Sequence, residues 1–238
     1  MVGSDALIMG TEIRPRVRLN QRIYLSIGVI LAVVISGWVL KSAVGYTSLE
    51  MNLLRQVNGF HTDFADGIAL GINWLFAPIV AFVIVLLAGG MILLFTRRYA
   101  WAFRFMYIVL VPTVGAAVVK VLVHRPRPDI ASLQHVLVLE PGGLSFPSGH
   151  TTFAACFVLG FIVLARGHSL RPTLIGVSAF IVLLAASSRV YLGVHYPSDV
   201  VASVVYAIAA VALADAIWLL AVPHLSKRRS GKLAGSAR

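Results

Sequence analysis

The sequence predicts an all-α integral membrane protein, a bundle of six transmembrane helices with both termini on the cytoplasmic side. Three observations predict it. The 238 residues are 59% hydrophobic and only 12% charged, with a mean hydropathy of +0.89, whereas a soluble domain carries about a quarter charged residues. Six apolar runs approach the roughly 20 residues that a spanning helix needs. The basic residues are shared unevenly between the connections, as the positive-inside tendency requires.

Taken in order, residues 1–22 form a polar lead-in with Arg14, Arg16 and Arg18. No small-residue cleavage site follows the first apolar stretch, so that stretch is read as a retained helix rather than a signal peptide. The expected spans are 23–40, 72–95 with Pro78 inside, 105–123 with Pro112 inside and Lys120 near its end, 148–165, 173–188 and 200–222. Residues 23–222 make up the membrane domain, and 223–238 form a basic cytoplasmic tail. With the N-terminus inside, 14 of the 20 Lys and Arg residues fall on the cytoplasmic side, which sets the orientation. The two longer outer connections are 41–71 and 124–147. In the first, Tyr46, Leu49, Leu53, Val57 and Phe60 recur at spacings of three and four. That spacing suits a helix lying on the membrane surface or one packed over the bundle.

The net charge of +11 belongs to topology and anionic headgroups rather than to nucleic acid, because the basic tails are short and adjoin spans. The single cysteine, Cys156, lies in an apolar run, where it forms no intramolecular disulfide and reads as packing. Asp215, deep in the last span, is expected to pair with an arginine at the inner end or to make an interhelical hydrogen bond.

Three outer-end clusters carry chemistry. Lys120, and Arg127 seven residues on, place cations against the topology bias, as does Arg189 at the end of the fifth span. Pro147, Ser148, Gly149 and His150 open the fourth span: an N-capping serine, a glycine that lets a ligand approach the backbone, and a histidine that can give a proton near neutral pH. The free N–H groups of a helix start suit a phosphate. His195 and Asp199 stand four apart at the start of the sixth span, so the carboxylate can fix the imidazole tautomer. Two histidines, one carboxylate, three cations and a helix N-terminus can perform phosphoryl transfer, which asks mainly for positioning and charge stabilisation. No metal or other cofactor is expected, since no carboxylate cluster is present to hold magnesium. His61, Asp63 and Asp66 read as a solvated loop. His124 and Arg125 occupy variable positions inside the first cluster, and His135 and Glu140 lie in a loop that can cover the site.

Lys120 with Arg127-Pro128, then Pro147-Ser148-Gly149-His150, then Ser188-Arg189 with His195 and Asp199 resemble the three signature motifs of the type 2 phosphatidic acid phosphatase (PAP2) superfamily, in its bacterial membrane lipid phosphatase branch. The resemblance implies that His195 is the nucleophile and forms a phosphohistidine. It implies that Asp199 orients His195 and that His150 protonates the leaving oxygen. Lys120, Arg127, Ser148, Gly149 and Arg189 then hold the phosphoryl group at the outer membrane face. The implied partners are the bilayer and a lipid phosphate: phosphatidylglycerol phosphate, phosphatidic acid or undecaprenyl pyrophosphate. Two other readings stand beside it. One is a lipid phosphotransferase using the same pocket. The other is a non-catalytic lipid-phosphate binder, which would not need both histidines.

Overall fold

The computed structural model describes residues 5–140 and 143–235, with side chains described for 18–140 and 143–221. The basic side chains before residue 18 and after residue 221, expected in the two tails, lie outside the described set. Among the described residues there are eight α-helices and one short 3-10 turn, Ile130–Ser132. The helices are α1 (Asp5–Ser42), α2 (Val44–Asn58), α3 (Asp63–Leu75), α4 (Pro78–Thr96), α5 (Tyr99–Val123), α6 (Gly149–Leu164), α7 (Arg171–Tyr191) and α8 (Pro197–Gly235). Five contain stretches long and apolar enough to cross a membrane: α1 from Arg18, α4, α5, α7, and α8 to Ala221. Helix α6, with 16 residues, falls short of that length.

The short helix occupies the centre, packed against α5, α7 and α8. Its residues 151–156 are all buried, with Cys156 among them. Small residues permit this close approach, as is usual between helices in membranes. A Cβ at Gly160 would come within 2.9 Å of Phe105 and Val109 on α5. Phe105, Phe153, Phe157 and Phe161 then fill the space between α5 and α6.

The expected span 72–95 is two helices. Proline lacks an N–H and disfavours helical geometry in the residue before it. Ala77 is accordingly extended (φ −58°, ψ 144°), and Pro78 opens α4 as a first-turn residue. Helix α3 is thereby free to turn and pack on α7.

The segment 41–71 packs over the bundle. Helix α2 buries Glu50, Met51, Leu54 and Asn58 against its neighbours. Of the expected apolar stripe, Tyr46, Leu49, Leu53 and Phe60 are exposed and Val57 is half-buried. The buried face carries Glu50 and Asn58 because both find partners there. Asn58 clamps the backbone of His135 from both sides, donating to its carbonyl (2.8 Å) and accepting from its N–H (2.9 Å). Nor are His61 and Asp66 solvated, although Asp63 is exposed. His61 Nδ1 lies 2.7 Å from Asp66 Oδ1. Its ring stacks between Tyr191 and His135, and the Tyr191 hydroxyl donates to Asp66.

At the other end of α8, Asp215 is fully buried and meets Arg22, Arg104 and Arg166, the first of the two pairings expected of it. One carboxylate thus ties α1, α5 and the α6–α7 turn to α8. Asp215→Asn leaves three guanidiniums facing one another and is expected to lower stability by about 2 kcal/mol. That is less than the loss from breaking an enclosed pair, because Arg22 and Arg166 are over a third exposed. Thermal unfolding in detergent would show the loss, and an unchanged midpoint would refute the tie.

Candidate active site

Helix α5 ends at His124, which is left-handed (φ 54°). The chain turns there and runs beside residues 143–145. The Arg127 N–H donates to the Gly143 carbonyl (3.1 Å) and the Ser145 N–H to the Arg125 carbonyl (2.8 Å). Lys120, on the last turn of α5, donates from Nζ to the Leu144 carbonyl at 3.0 Å. This local pairing sets Lys120 and Arg127 beside the start of α6.

Ser148 caps α6, accepting from the Thr151 N–H. Its own N–H donates to Ser203 Oγ at 2.8 Å, which pins the cap to α8. Space is open above Gly149, where an added Cβ would meet nothing within 4 Å. Gly149, the first residue of α6, is exposed, and a helix start of this kind suits an anion. His150 Nε2 lies 3.2 Å from the Asn73 carbonyl on α3.

Arg189 is fully buried at the end of α7. Its Nη1 donates to Asn73 Oδ1 (2.8 Å) and to Glu140 Oε1 (3.1 Å). Its Nη2 is buried with no hydrogen-bond partner among the described residues. The α7–α8 turn then needs Gly193 (φ 70°), where a Cβ would strike Leu133 at 2.2 Å. That turn delivers His195, which is 1% exposed. Nδ1 of His195 lies 3.5 Å from Asp199 Oδ2, a long contact of the kind that tightens when a site is occupied. Nε2 lies 3.4 Å from Arg127 Nη1, which also donates to the Val194 carbonyl at 2.9 Å. One ring nitrogen thus faces a carboxylate and the other a cation. Burial holds the His195 imidazole down at about 4, with Arg127 and Lys120 adding to the effect and Asp199 opposing it.

Glu140 closes the arrangement. It reaches Arg189 (3.1 Å) and Arg127 (3.4 Å) at once. A carboxylate of the chain's own loop therefore sits between the two arginines. The structure brings Arg127, Arg189, His195 and Asp199 into one contact chain, and joins His150 to Arg189 through Asn73. Lys120, Ser148 and Gly149 border it.

Sequence reasoning missed Asn73, Ser203 and the pairing of Arg125 with Glu50. Asn73 carried a usable signal, since a polar side chain inside an apolar run asks for a partner. Ser203 gave none.

Residues 99–220, which carry every element of this site except Asn73 on α3 and Glu50 on α2, match the PAP2 superfamily. The chain belongs to the PAP2 superfamily. Among PAP2-type relatives, it is 38% identical over 104 residues to the decaprenylphosphoryl-5-phosphoribose phosphatase of Mycobacterium tuberculosis, covering 43% of this chain and 52% of that one. It is 33% identical over 126 residues to phosphatidylglycerophosphatase B of Bacillus subtilis, covering 50% and 57%. It is 36% identical over 84 residues to the undecaprenyl-diphosphatase BcrC of the same species, covering 35% and 40%. The chain thus spans about half the length of these curated relatives. Its fold matches the crystal structure of the transmembrane PAP2-type phosphatidylglycerolphosphate phosphatase of Bacillus subtilis, with a TM-score of 0.62 at 20% identity over 83% of this chain and 96% of that one. Aquifex aeolicus LpxE gives 0.54 at 26% identity, over 70% and 94%.

Proposed function

We propose that this chain is a metal-independent phosphatase of membrane lipids, which hydrolyses a phosphomonoester or diphosphate through a phosphohistidine. Glu140 bridging Arg127 and Arg189, beside a histidine backed by a carboxylate, carries this reading. That bridge marks an anion site within reach of a nucleophile. In the proposed reaction Asp199 holds the proton on His195 Nδ1, and Nε2 attacks phosphorus. The N–P bond forms as the P–O bond to the lipid breaks, and His150 gives its proton to the leaving oxygen. Water then attacks phosphorus while His150 takes its proton, the N–P bond breaks and inorganic phosphate leaves. Lys120, Arg127, Arg189, the Ser148 hydroxyl and the Gly149 N–H stabilise the charge on the phosphoryl oxygens, as preorganised donors do. The names of the relatives support a lipid phosphate as substrate, with phosphatidylglycerol phosphate, phosphatidic acid and undecaprenyl pyrophosphate as the classes to test.

The reading extends to six spans, with α6 as the short one, both termini cytoplasmic and the site at the outer face. The five long apolar stretches and the basic bias support that arrangement. The test is phosphate release from a panel of detergent-solubilised lipid phosphates with EDTA present. Release from at least one lipid is expected, and the ranking identifies the class. Release only after a divalent metal is restored would overturn the metal-independent mechanism. Release that depends on an added alcohol acceptor would make the chain a phosphotransferase.

Glu140 competes with the substrate for two arginines. Glu140→Gln is therefore expected to lower KM, and the inhibition constant of inorganic phosphate, by about fivefold, the size of a partly exposed ion pair of roughly 1 kcal/mol. A raised KM would mean that Glu140 assists binding instead.

A further inference from the structure

Arg125 lies two residues before the phosphate-facing Arg127, yet its side chain serves a different partner. Nη1 donates to Asp199 Oδ1 at 2.7 Å and to Ser198 Oγ at 2.8 Å. Nη2 donates to Glu50 Oε2 at 2.8 Å. The guanidinium lies over the Tyr196 ring, 4.3 Å from its centroid. Glu50, on α2, also accepts from the Ser198 N–H (2.7 Å) and the Ser198 hydroxyl (2.9 Å), the two groups beside Asp199 in the chain. Glu50, Arg125 and Asp199 are 5%, 1% and 0% exposed. Side chains this charged are almost never enclosed unless they are paired.

The arrangement divides the two oxygens of Asp199. Oδ1 is taken by Arg125. Oδ2 accepts from the Tyr196 N–H at 3.0 Å and faces His195 Nδ1. A carboxylate held at one oxygen by an arginine cannot rotate, so its other oxygen keeps its aim. The histidine's tautomer and direction are then fixed as well. Glu50 supplies the countercharge that allows Arg125 to stay buried between two walls of the site.

We propose that Arg125 and Glu50 are a positioning pair for the catalytic dyad, and that α2 is thereby a working part of the active site. The pair touches no reacting atom; it acts through Asp199. The inference rests on the phosphatase reading and deepens it.

The test compares wild type, Arg125→Gln, Arg125→Lys, Glu50→Gln and the double variant Glu50→Gln/Arg125→Gln. Their kcat, KM and inhibition by inorganic phosphate are measured in one detergent. Arg125→Gln is expected to lower kcat by about 10–100-fold, the usual cost of losing an orienting partner. KM and the phosphate inhibition constant should stay within about threefold, because the cradle of Lys120, Arg127 and Arg189 is untouched. Arg125→Lys should recover part of the loss by restoring the charge. The double variant should be little worse than Arg125→Gln alone, since members of one unit are not additive. An active wild type with unchanged kcat in Arg125→Gln and Glu50→Gln would overturn the positioning pair and leave the phosphatase reading standing. Loss of phosphate binding in step with kcat would show a general failure of the fold and would also overturn it. A wild type that releases no phosphate would overturn the parent reading and this one together.

Discussion

Phosphate release is expected to fall by about four orders of magnitude or more in His195→Ala, at every pH, with the bundle still folded. Removing a nucleophile takes away the covalent route and leaves only the stabilisation that the pocket gives to slow attack by water. The substituted side chain is an enclosed imidazole, so His195→Asn, which can still bond Asp199, serves as the control for stability. Wild type quenched during turnover should carry an acid-labile phosphate that neither variant acquires. The same residue sets a pH expectation. Because burial holds its imidazole at about 4 instead of the ordinary 6.5, the neutral attacking form persists as pH falls from 7 to 5. It is lost only as pH drops through about 4. The acid limb of kcat/KM should therefore lie near 4 once the second ionisation of the substrate phosphate, near 6, is allowed for. Release by His195→Ala at the wild-type rate would remove His195 from the mechanism.

Arg189→Lys is expected to lower kcat/KM by about 10²–10³-fold although the charge is kept. Arg189 uses Nη1 for Asn73 and Glu140 and Nε for Ser188, and holds Nη2 buried and unpartnered among the described residues. In an enclosed, low-dielectric site that free donor is worth far more than in water. Lysine offers a single point charge on a shorter reach. It can satisfy the Asn73 side or the phosphoryl oxygen, and loses the planar fork that does both. The inhibition constant of inorganic phosphate should rise with the loss. Activity within threefold of wild type would show that charge alone suffices at this position.

Much of this candidate site was legible because its residues are grouped locally in sequence. His195 and Asp199 are four apart at a helix start, Ser148 and Gly149 open a helix, and Lys120 and Arg127 flank one helix end. Each pattern follows from helix geometry and from the composition of the residues beside it. Asp215 was legible in part: an acid in an apolar helix needs a partner, and the structure made that partner three arginines rather than an interhelical hydrogen bond to a neutral group. The expected continuous span through Pro78 failed for a local reason that outweighed hydropathy: the residue before a proline leaves the helical region.

Composition and periodicity by themselves determined that the chain is a helical membrane bundle, and spacing determined which side chains gather near the ends of its helices. Only the tertiary structure decided how those side chains divide the work. Glu50 meets Ser198 across 148 residues, Arg189 meets Asn73 across 116, and Glu140 meets both arginines from a loop with no regular structure. These contacts depend on where α2, α3 and the loop before α6 lie against the ends of α7 and α8. A buried charge takes whichever partner that packing brings within about 3 Å, and no pattern along the sequence encodes that distance.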